Sequence, residues 1–380
     1  MAKLLEALGA DEGEIRYVGG AVRDDLLGLP VNDVDLATRL RPDQVVERLQ
    51  AAGIKAVPTG IEHGTVTAVS AGHPYEVTTL RRDVETFGRH ATVAFTDDWK
   101  EDSARRDFTI NALMADPITG EIFDYFGGLE DLEQRLVRFI GDPFDRIAED
   151  HLRILRFFRF QARFGKDDPD RAALEACTAR ANDLMALSRE RIADELLKLL
   201  SVADPAPTVK IMLERRILKP VIPEIGESSW QQLHALVESE VEAGLAADPL
   251  RRLVSLLPRD PQLAGAIATR LKLSNRAKGR IRCASQPEIL DPKAAAYREG
   301  VECAVDRLLL AGEPSRAAAI AAWTPPRLPI GGGALIKRGL VEGPIVSRAL
   351  RSIEDRWIEA GFPAGADFDA IVAEVLSSAR

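Results

Sequence analysis

The feature that most constrains this chain is a short segment near its start, residues 18–24 (VGGAVRD). The apolar run at residues 15–18 predicts a strand, and the two glycines that follow leave backbone N–H groups bare at an expected helix start. Such N–H groups are well placed to bind a phosphate. Arg23 lies one helical turn further on and adds a guanidinium that can hold a triphosphate. The segment therefore predicts a phosphate-binding turn.

Two aspartates follow this turn, separated from each other by one residue. Asp33 and Asp35 share one face if they lie in a strand. Adjacent carboxylates repel each other, so the pair indicates a bound cation, typically Mg²⁺. A lone Asp-x-Asp also occurs in ordinary turns. Beside a phosphate-binding turn, however, it predicts phosphoryl or nucleotidyl transfer with two metal ions.

Length and composition limit the class of protein. A chain of 380 residues exceeds one ordinary core, which predicts two or more domains. Its apolar stretches fall short of the ~18 residues that cross a bilayer, and its N-terminus lacks a secretory cleavage pattern. Cys177, Cys283 and Cys303 are far apart and form no CxxC motif. We therefore expect neither a disulfide framework nor a zinc knuckle, and we predict a cytoplasmic protein.

The hydrophobic pattern changes near Pro143. Before it, β-branched runs at residues 65–69 and 75–80 predict a hairpin, and Pro42 predicts a helix start. Residues 82–100 are polar and predict a mobile loop. After it, leucine- and alanine-rich segments of helical period predict helices, including residues 146–164, 170–186, 188–200 and 230–246. The prediction is an α+β protein with an α/β head and an all-helical remainder.

A second charged segment, residues 101–113 (EDSARRDFTINAL), runs directly into an apolar stretch. It can be read as a charged loop beside a buried element. It also fits a site in which Arg106 reaches a ribose or a phosphate while Asp107 and Asn111 hold its geometry.

A third segment, residues 149–163 (EDHLRILRFFRFQAR), is rich in arginine. On a helix, Ile154 and Phe158 would face the core, while the arginines would spread over the other side with Phe157 and Phe160 among them. Arginine stacks on nucleobases and binds phosphates through two hydrogen bonds, which favours a nucleotide site over a solvated face. Asp150 adds an acceptor beside the donors of Arg153 and so imitates the edge of a base. The arginines are Arg153, Arg156, Arg159 and Arg163.

A weaker signal lies at residues 270–282, where six of thirteen residues are basic and none is acidic. The net charge of the chain is −9, but local clusters rather than net charge decide where a polyanion binds. The segment predicts either an RNA-backbone contact or a basic helix face. The residues predicted to contact RNA are Arg276, Lys278, Arg280 and Arg282.

Four segments in this order resemble the class II tRNA nucleotidyltransferase and poly(A) polymerase family, specifically its bacterial CCA-adding enzymes. The resemblance implies a polymerase β-like nucleotidyltransferase head at residues 1–140 and a helical neck at 141–202 that recognises the base. It implies a helical body and tail at 203–380 that bind tRNA. It also implies addition of CMP, CMP and AMP from CTP and ATP to tRNA, with Mg²⁺ and no template. The four segments are residues 18–35, 105–112, 149–163 and 188–196.

The resemblance also implies a role for each matching residue. Asp33 and Asp35 would be the catalytic metal ligands. The remaining positions would bind the nucleotide: Gly20 and Arg23 the triphosphate, Arg106 the sugar and phosphate, Asp150 and Arg153 the base edge, and Arg156 and Arg159 the same pocket. The third carboxylate near the metals would be either Glu76 or Asp107.

Two alternatives stay open. A poly(A) polymerase or A-adding enzyme would share this head, but such polymerases typically carry a basic C-terminal extension, whereas residues 367–374 are acidic. Residues 82–90 resemble the flexible loop of enzymes that add the whole CCA. A catalytically inactive RNA-binding protein is disfavoured because Asp33 and Asp35 are both present. No segment indicates a membrane or a protein partner.

Overall fold

The structure is a computed structural model that describes residues 1–31, 33–87, 90–166, 168–287, 289 and 291–378. Of residues 83–87 and 90–93 it describes the backbone only. The chain divides into two compact units, Met1–Pro223 and Glu224–Arg380. The boundaries predicted near residues 140 and 202 lie inside the first unit and stay predictions.

The first unit contains a sheet of seven strands in the order β3-β4-β5-β2-β1-β8-β9, and a separate hairpin of β6 and β7. Strand β2 runs parallel to β5, and the other neighbouring strands are antiparallel. The strands are β1 (Ile15–Val18), β2 (Asp35–Thr38), β3 (Lys55–Gly60), β4 (Thr65–Ser70), β5 (His73–Thr79), β6 (Arg81–Phe87), β7 (His90–Phe95), β8 (Met114–Ala115) and β9 (Ile122–Phe123).

The first unit also contains ten α-helices among its described residues. They are α1 (Ala2–Ala7), α2 (Gly20–Leu26), α3 (Pro42–Ala51), α4 (Trp99–Ala104), α5 (Gly128–Gln134), α6 (Pro143–Glu149), α7 (Arg153–Phe164), α8 (Arg171–Ala179), α9 (Arg189–Leu200) and α10 (Ala206–Glu214).

The large sheet is covered on both faces because successive strand residues point to opposite sides. On β2, Leu36 belongs to one apolar cluster together with Leu4 of α1 and Leu49 of α3. The next residue, Ala37, belongs to a second cluster with Trp99 of α4. This double cover fixes β1 and β2, which carry the glycine turn and Asp35.

The strand at residues 15–18, the helix start at Pro42 and the hairpin of β4 and β5 are confirmed. The polar residues 82–100, predicted to be a loop, contribute most of the paired strands β6 and β7 and the start of α4. Residues 88 and 89 lie outside the described residues, and the mobility of this segment stays a prediction.

The helix predicted over residues 146–164 is two helices. α6 ends at Glu149, Asp150 is extended with φ −149° and ψ 107°, and α7 begins at Arg153. The Asp150 carboxylate accepts the Leu152 N–H at 3.1 Å. A short acidic side chain that bonds to nearby backbone favours such a break. Asp150 therefore lies at a break between two helices, where a continuous helix was expected.

The described elements of the second unit are all helices. Among the residues that the structure describes, no helix is long and apolar enough to cross a membrane. The helices are α11 (Ser229–Glu242), α12 (Pro249–Leu256), α13 (Pro261–Arg270), α14 (Asn275–Ala284), α15 (Pro292–Glu299), α16 (Val301–Leu310), α17 (Pro314–Ala321), α18 (Gly332–Lys337), α19 (Pro344–Glu359) and α20 (Ala366–Ser378).

A disulfide joins Cys283 of α14 to Cys303 of α16. It corrects the expectation drawn from the wide spacing of the cysteines. That spacing could not show that α14 and α16 pack side by side. The Glu299 carboxylate lies 3.6 Å and 3.8 Å from the two sulfurs. Cys177, in the first unit, is a buried free thiol.

We expect reduction of this disulfide to lower the melting temperature. Its cysteines are 20 residues apart. A cross-link closing a loop of this length removes chain entropy from the unfolded state and contributes about 3 kcal/mol, or about 6–12 °C in a unit of this size. The measurement is calorimetry with and without a dithiol reductant. Cys283→Ser should melt at the same temperature in both buffers. A melting temperature of the wild-type protein that stayed the same when the reductant was added would contradict the prediction.

Candidate functional site

A cavity of about 820 Å³ opens in the first unit between the glycine turn and helix α7. All nine residues that the sequence predicted to bind metal or nucleotide line it. The structure thus brings together segments that lie more than 120 positions apart in the sequence, and their individual roles stay predictions. The lining has a small excess of positive charge, with six arginines and one lysine against five aspartates.

In the glycine turn, the absence of a side chain at Gly19 lets the Arg106 side chain approach the backbone closely. Gly19 has φ +68°, and its N–H donates to the Leu113 carbonyl at 3.0 Å. A Cβ at Gly19 would lie 2.9 Å from Nη1 of Arg106. The positive φ favours glycine at this position, and a larger residue would also have to displace the end of the Arg106 side chain. Gly20 then begins α2.

Two carboxylates line the sheet side of the cavity, and a third lies on the neighbouring strand. Asp33 and Asp35 both line the cavity, although only Asp35 lies in a strand, because β2 begins there. Asp35 lies directly opposite Glu76 because β2 and β5 pair in parallel register. Desolvation raises the pKa of Asp35. The nearby carboxylates of Glu76 and Asp33 raise this pKa further, whereas the Arg106 guanidinium opposes the rise. A bound cation would relieve the part of this rise that comes from Glu76 and Asp33.

Asp107, the other candidate for a third carboxylate, is committed to different partners. It accepts from Arg156 at 2.6 Å, from the Asn111 amide at 3.0 Å and from the Phe108 N–H at 2.9 Å. Burial opposes ionisation, but these donors outweigh it and hold the pKa of Asp107 below its usual range. Its carboxylate thus serves to hold Arg156 in place.

Arg23 is almost completely buried beside the glycine turn. Its guanidinium donates to Asp24 at 2.8 Å and to the Asn111 side-chain oxygen, and it lies 4.2 Å from the ring of Phe164. Burial lowers the pKa of Arg23, while Asp24 opposes that change. These contacts fix the cation at the edge of the cavity.

Acidic partners hold each cavity-lining arginine of α7. Arg153 pairs with Glu149 and donates to the Arg146 carbonyl at 2.8 Å. Arg159 donates to Glu195 at 2.6 Å. Arg163 pairs with Asp24 at 3.0 Å. The arginines therefore approach a ligand from fixed positions.

The aromatic residues of α7 correct one expectation. Phe157 is fully buried and packs against Phe108 and Phe139, so it does not lie among the arginines. Phe160 is also largely buried, but it lines the cavity, and the Arg159 guanidinium lies 4.3 Å from its ring. One of the two rings is therefore available to a ligand.

Sequence reasoning did not single out Glu195. This residue is buried and pairs with Arg159 at 2.6 Å and with Arg156 at 3.6 Å. A signal was present, because Glu195 lies on the apolar face of α9 together with Ile192 and Leu199. An acid on an apolar helix face requires a buried partner.

Arg163, one of the four arginines that favoured a nucleotide site, also lines the cavity. Asp24 and Lys198 line it as well, although no nucleotide role was predicted for either.

The predicted RNA contacts on α14 differ from one another. Arg280 pairs with Asp306 at 2.7 Å, with Asp248 at 2.8 Å and with Glu302 at 3.1 Å, and its side chain is only 11% exposed. Arg276 and Arg282 are exposed, and Lys278 is partly exposed. Arg280 therefore stabilises the helical unit, and three of the four residues remain accessible to a polyanion.

Comparison with known proteins agrees with this geometry. Residues 15–138 match the family described as the poly A polymerase head domain. Residues 168–228 match the family described as a probable RNA and SrmB-binding site of polymerase A. Together with the glycine turn and the two aspartates, these matches define the class of the protein as a nucleotidyltransferase.

Similar proteins span nearly the whole chain. The mitochondrial CCA tRNA nucleotidyltransferase 1 of Mus musculus is 34% identical, and the match covers 95% of this chain and 87% of that protein. The CCA-adding enzyme of Lacticaseibacillus paracasei is 32% identical over 95% of this chain and 91% of that one. The CCA-adding enzyme of Bacillus stearothermophilus, solved in complex with CTP, superposes with a TM-score of 0.74 at 25% identity, covering 99% and 98%. The chain belongs to the CCA tRNA nucleotidyltransferase family.

We expect Glu195→Ala to destabilise the first unit by about 3 kcal/mol, because it leaves the poorly exposed Arg159 without its carboxylate. Asp194→Ala is the matched control, since Asp194 is the neighbouring acid on α9 and makes an exposed pair with Lys198. Loss of such a pair costs at most about 1 kcal/mol. Urea unfolding of both variants tests this, and equal midpoints would contradict it.

Proposed function

We propose that this chain is a CCA-adding enzyme, which transfers CMP, CMP and AMP from CTP and ATP to the 3′ end of tRNA without a template and releases pyrophosphate. The cavity carries the proposal, because it places two aspartates, a glycine turn and a row of arginines around one nucleotide-sized space. The names of the relatives, and the CTP complex of one of them, support the choice of substrates.

The donor set fits a divalent cation, which we propose to be Mg²⁺. Asp33 and Asp35 would hold it with oxygen ligands, the type that Mg²⁺ prefers. Glu76 is the better candidate for the third carboxylate, because it faces Asp35 while Asp107 is bound to Arg156. Bound metal would activate the attacking hydroxyl and stabilise the leaving pyrophosphate.

The cationic residues near the glycine turn are suited to the triphosphate. Gly20 offers close backbone approach, and Arg23 and Arg106 present guanidinium groups fixed by Asp24 and Asp102. Preorganised cations stabilise negative charge on the transferring phosphoryl group without reorganising during the reaction. Arg156 and Arg159 line the same cavity and would neutralise the remaining charge.

Asp150 and Arg153 are suited to read the base. Cytosine and adenine both present an exocyclic amino group beside a ring nitrogen that accepts a hydrogen bond. A carboxylate can accept from the amino group while a guanidinium donates to the ring nitrogen. Uracil and guanine present a carbonyl oxygen in place of that amino group, so this pair would reject them. The same two side chains would thus select both CTP and ATP.

The activity test is incubation with tRNA that lacks its CCA end, a poly(A) acceptor, and labelled CTP or ATP. We expect CMP followed by AMP on the tRNA. Failure to incorporate CMP would overturn the proposal, and AMP addition to the poly(A) acceptor alone would instead indicate a poly(A) polymerase. The cytoplasmic location stays a prediction.

We expect Asp33→Ala and Asp35→Ala each to abolish transfer while tRNA binding is retained, because each removes a metal ligand but no RNA contact. Asp43→Ala is the control, since Asp43 is an exposed aspartate on α3 of the same head. Glu76→Gln should require a higher Mg²⁺ concentration for half-maximal activity. Incorporation of labelled CMP and AMP into tRNA and filter binding report the two properties, and full activity in either aspartate variant would refute the assignment.

We expect the triple variant Arg276→Gln, Lys278→Gln, Arg282→Gln to bind tRNA more weakly and with a shallower dependence on salt. Each lost phosphate contact makes the negative slope of the logarithm of the tRNA-binding constant against the logarithm of salt concentration shallower by about 0.7 to 0.9. The single variant Arg282→Gln, measured beside the triple variant, separates the contribution of Arg282 to tRNA binding from those of Arg276 and Lys278. Unchanged affinity and slope would remove α14 from the tRNA-binding surface.

A further inference from the structure

The orientation of the Asp150 carboxylate is set by two hydrogen bonds, one of which comes from a residue on a different helix. One carboxylate oxygen accepts the Leu152 N–H at 3.1 Å, and the other accepts from the Arg191 guanidinium at 2.7 Å. Asp150 lies in the break between α6 and α7, where its backbone is extended. Helix geometry therefore does not fix the direction of this side chain. The two hydrogen bonds fix it instead.

Arg191 reaches Asp150 from outside the nucleotide cavity. It lies in the first turn of α9 and, among the described residues, does not line the cavity of about 820 Å³. It lines a separate cavity of about 410 Å³ that also includes Glu149, His151 and Ser188. Asp150 contributes to both cavities and stands between them. The hydrogen bond to Asp150 is therefore the direct contact through which Arg191 can influence a nucleotide.

The partner of Asp150 in base reading is held independently. Arg153 is fixed by Glu149 and by the Arg146 carbonyl, and neither of these groups hydrogen-bonds Arg191 in the described contacts. Loss of Arg191 would therefore free the carboxylate while leaving the Arg153 guanidinium in place. The two halves of the base reader can be perturbed separately.

We propose that Arg191 is a positioning residue that aims the Asp150 carboxylate at the amino group of the incoming base, and so sets the preference for C and A over U and G. This inference rests on the proposed function. Without Arg191, Asp150 keeps only the Leu152 N–H and turns about its side-chain bonds. The Asp150 carboxylate oxygen is then no longer held in one position relative to the amino group of the base.

We expect Arg191→Gln to raise KM for CTP and for ATP about tenfold, the scale of one lost hydrogen bond between charged groups, while kcat changes much less. Incorporation of UMP should rise relative to CMP. Arg191→Lys should restore part of the selectivity, because it returns the charge without the planar fork of donors. Arg171→Gln is the control, since Arg171 makes an exposed pair with Glu175 on α8.

A double-mutant cycle with Asp150→Asn separates positioning from a general structural role. If Arg191 acts through Asp150, adding Arg191→Gln to Asp150→Asn should change KM and selectivity no further. Additive losses in the double variant would overturn the inference, as would equal effects of Arg191→Gln and Arg171→Gln. Equilibrium binding of CTP, ATP, UTP and GTP gives a second readout that does not require transfer.

Failure of the wild-type chain to add CMP and AMP would refute the proposed function instead. In that case the binding cycle alone decides the role of Arg191. Unaltered CTP-over-UTP binding in Arg191→Gln would refute the inference whatever reaction the chain performs.

Discussion

The nucleotide cavity depends on ion pairs whose acidic partners hold the arginines in place. Arg156 is held by Asp107, Arg159 by Glu195, and Arg23 by Asp24. Several guanidinium groups this close repel one another, and partial burial costs each of them hydration. A carboxylate beside each one offsets both penalties and fixes its direction. The site is thus formed by the folding of α7 and α9 against the head.

This arrangement separates charge across the cavity. Asp33 and Asp35 line the cavity from the sheet side, with Glu76 opposite Asp35 on β5, whereas α7 contributes four arginines and Phe160 to the lining. Arg106 lies between them, because it approaches Gly19 and opposes the rise in the pKa of Asp35. Under the proposed function, a nucleoside triphosphate would use both environments, the carboxylates for a metal at its reacting phosphate and the arginines for its remaining charge. The sheet and the helices therefore make different contributions to one reaction.

The parts of the fold that the sequence predicted are those specified by neighbouring residues. The apolar run before Gly19, the proline at the start of α3 and the alternation in β4 and β5 all act locally. The break at Asp150 was missed because helical periodicity continues on both sides of it. Glu195 and Arg191 were missed because their partners lie 36 and 41 residues away. Local patterns indicate that a buried acid needs a partner, but only the packing of α9 on α7 selects which arginine it meets.

The contrast between the two arginine-rich segments shows why residue type alone does not define a nucleic-acid surface. Arg276 and Arg280 lie one turn apart on α14, yet their side chains are 88% and 11% exposed. Arg280 is turned inward to Asp306, and its charge is used within the helical unit. The arginines of α7 are also paired, but their carboxylates hold them at the rim of a cavity and leave them facing it. An ion pair therefore either removes an arginine from binding or prepares it for binding, and the decisive variable is whether the pair borders open space.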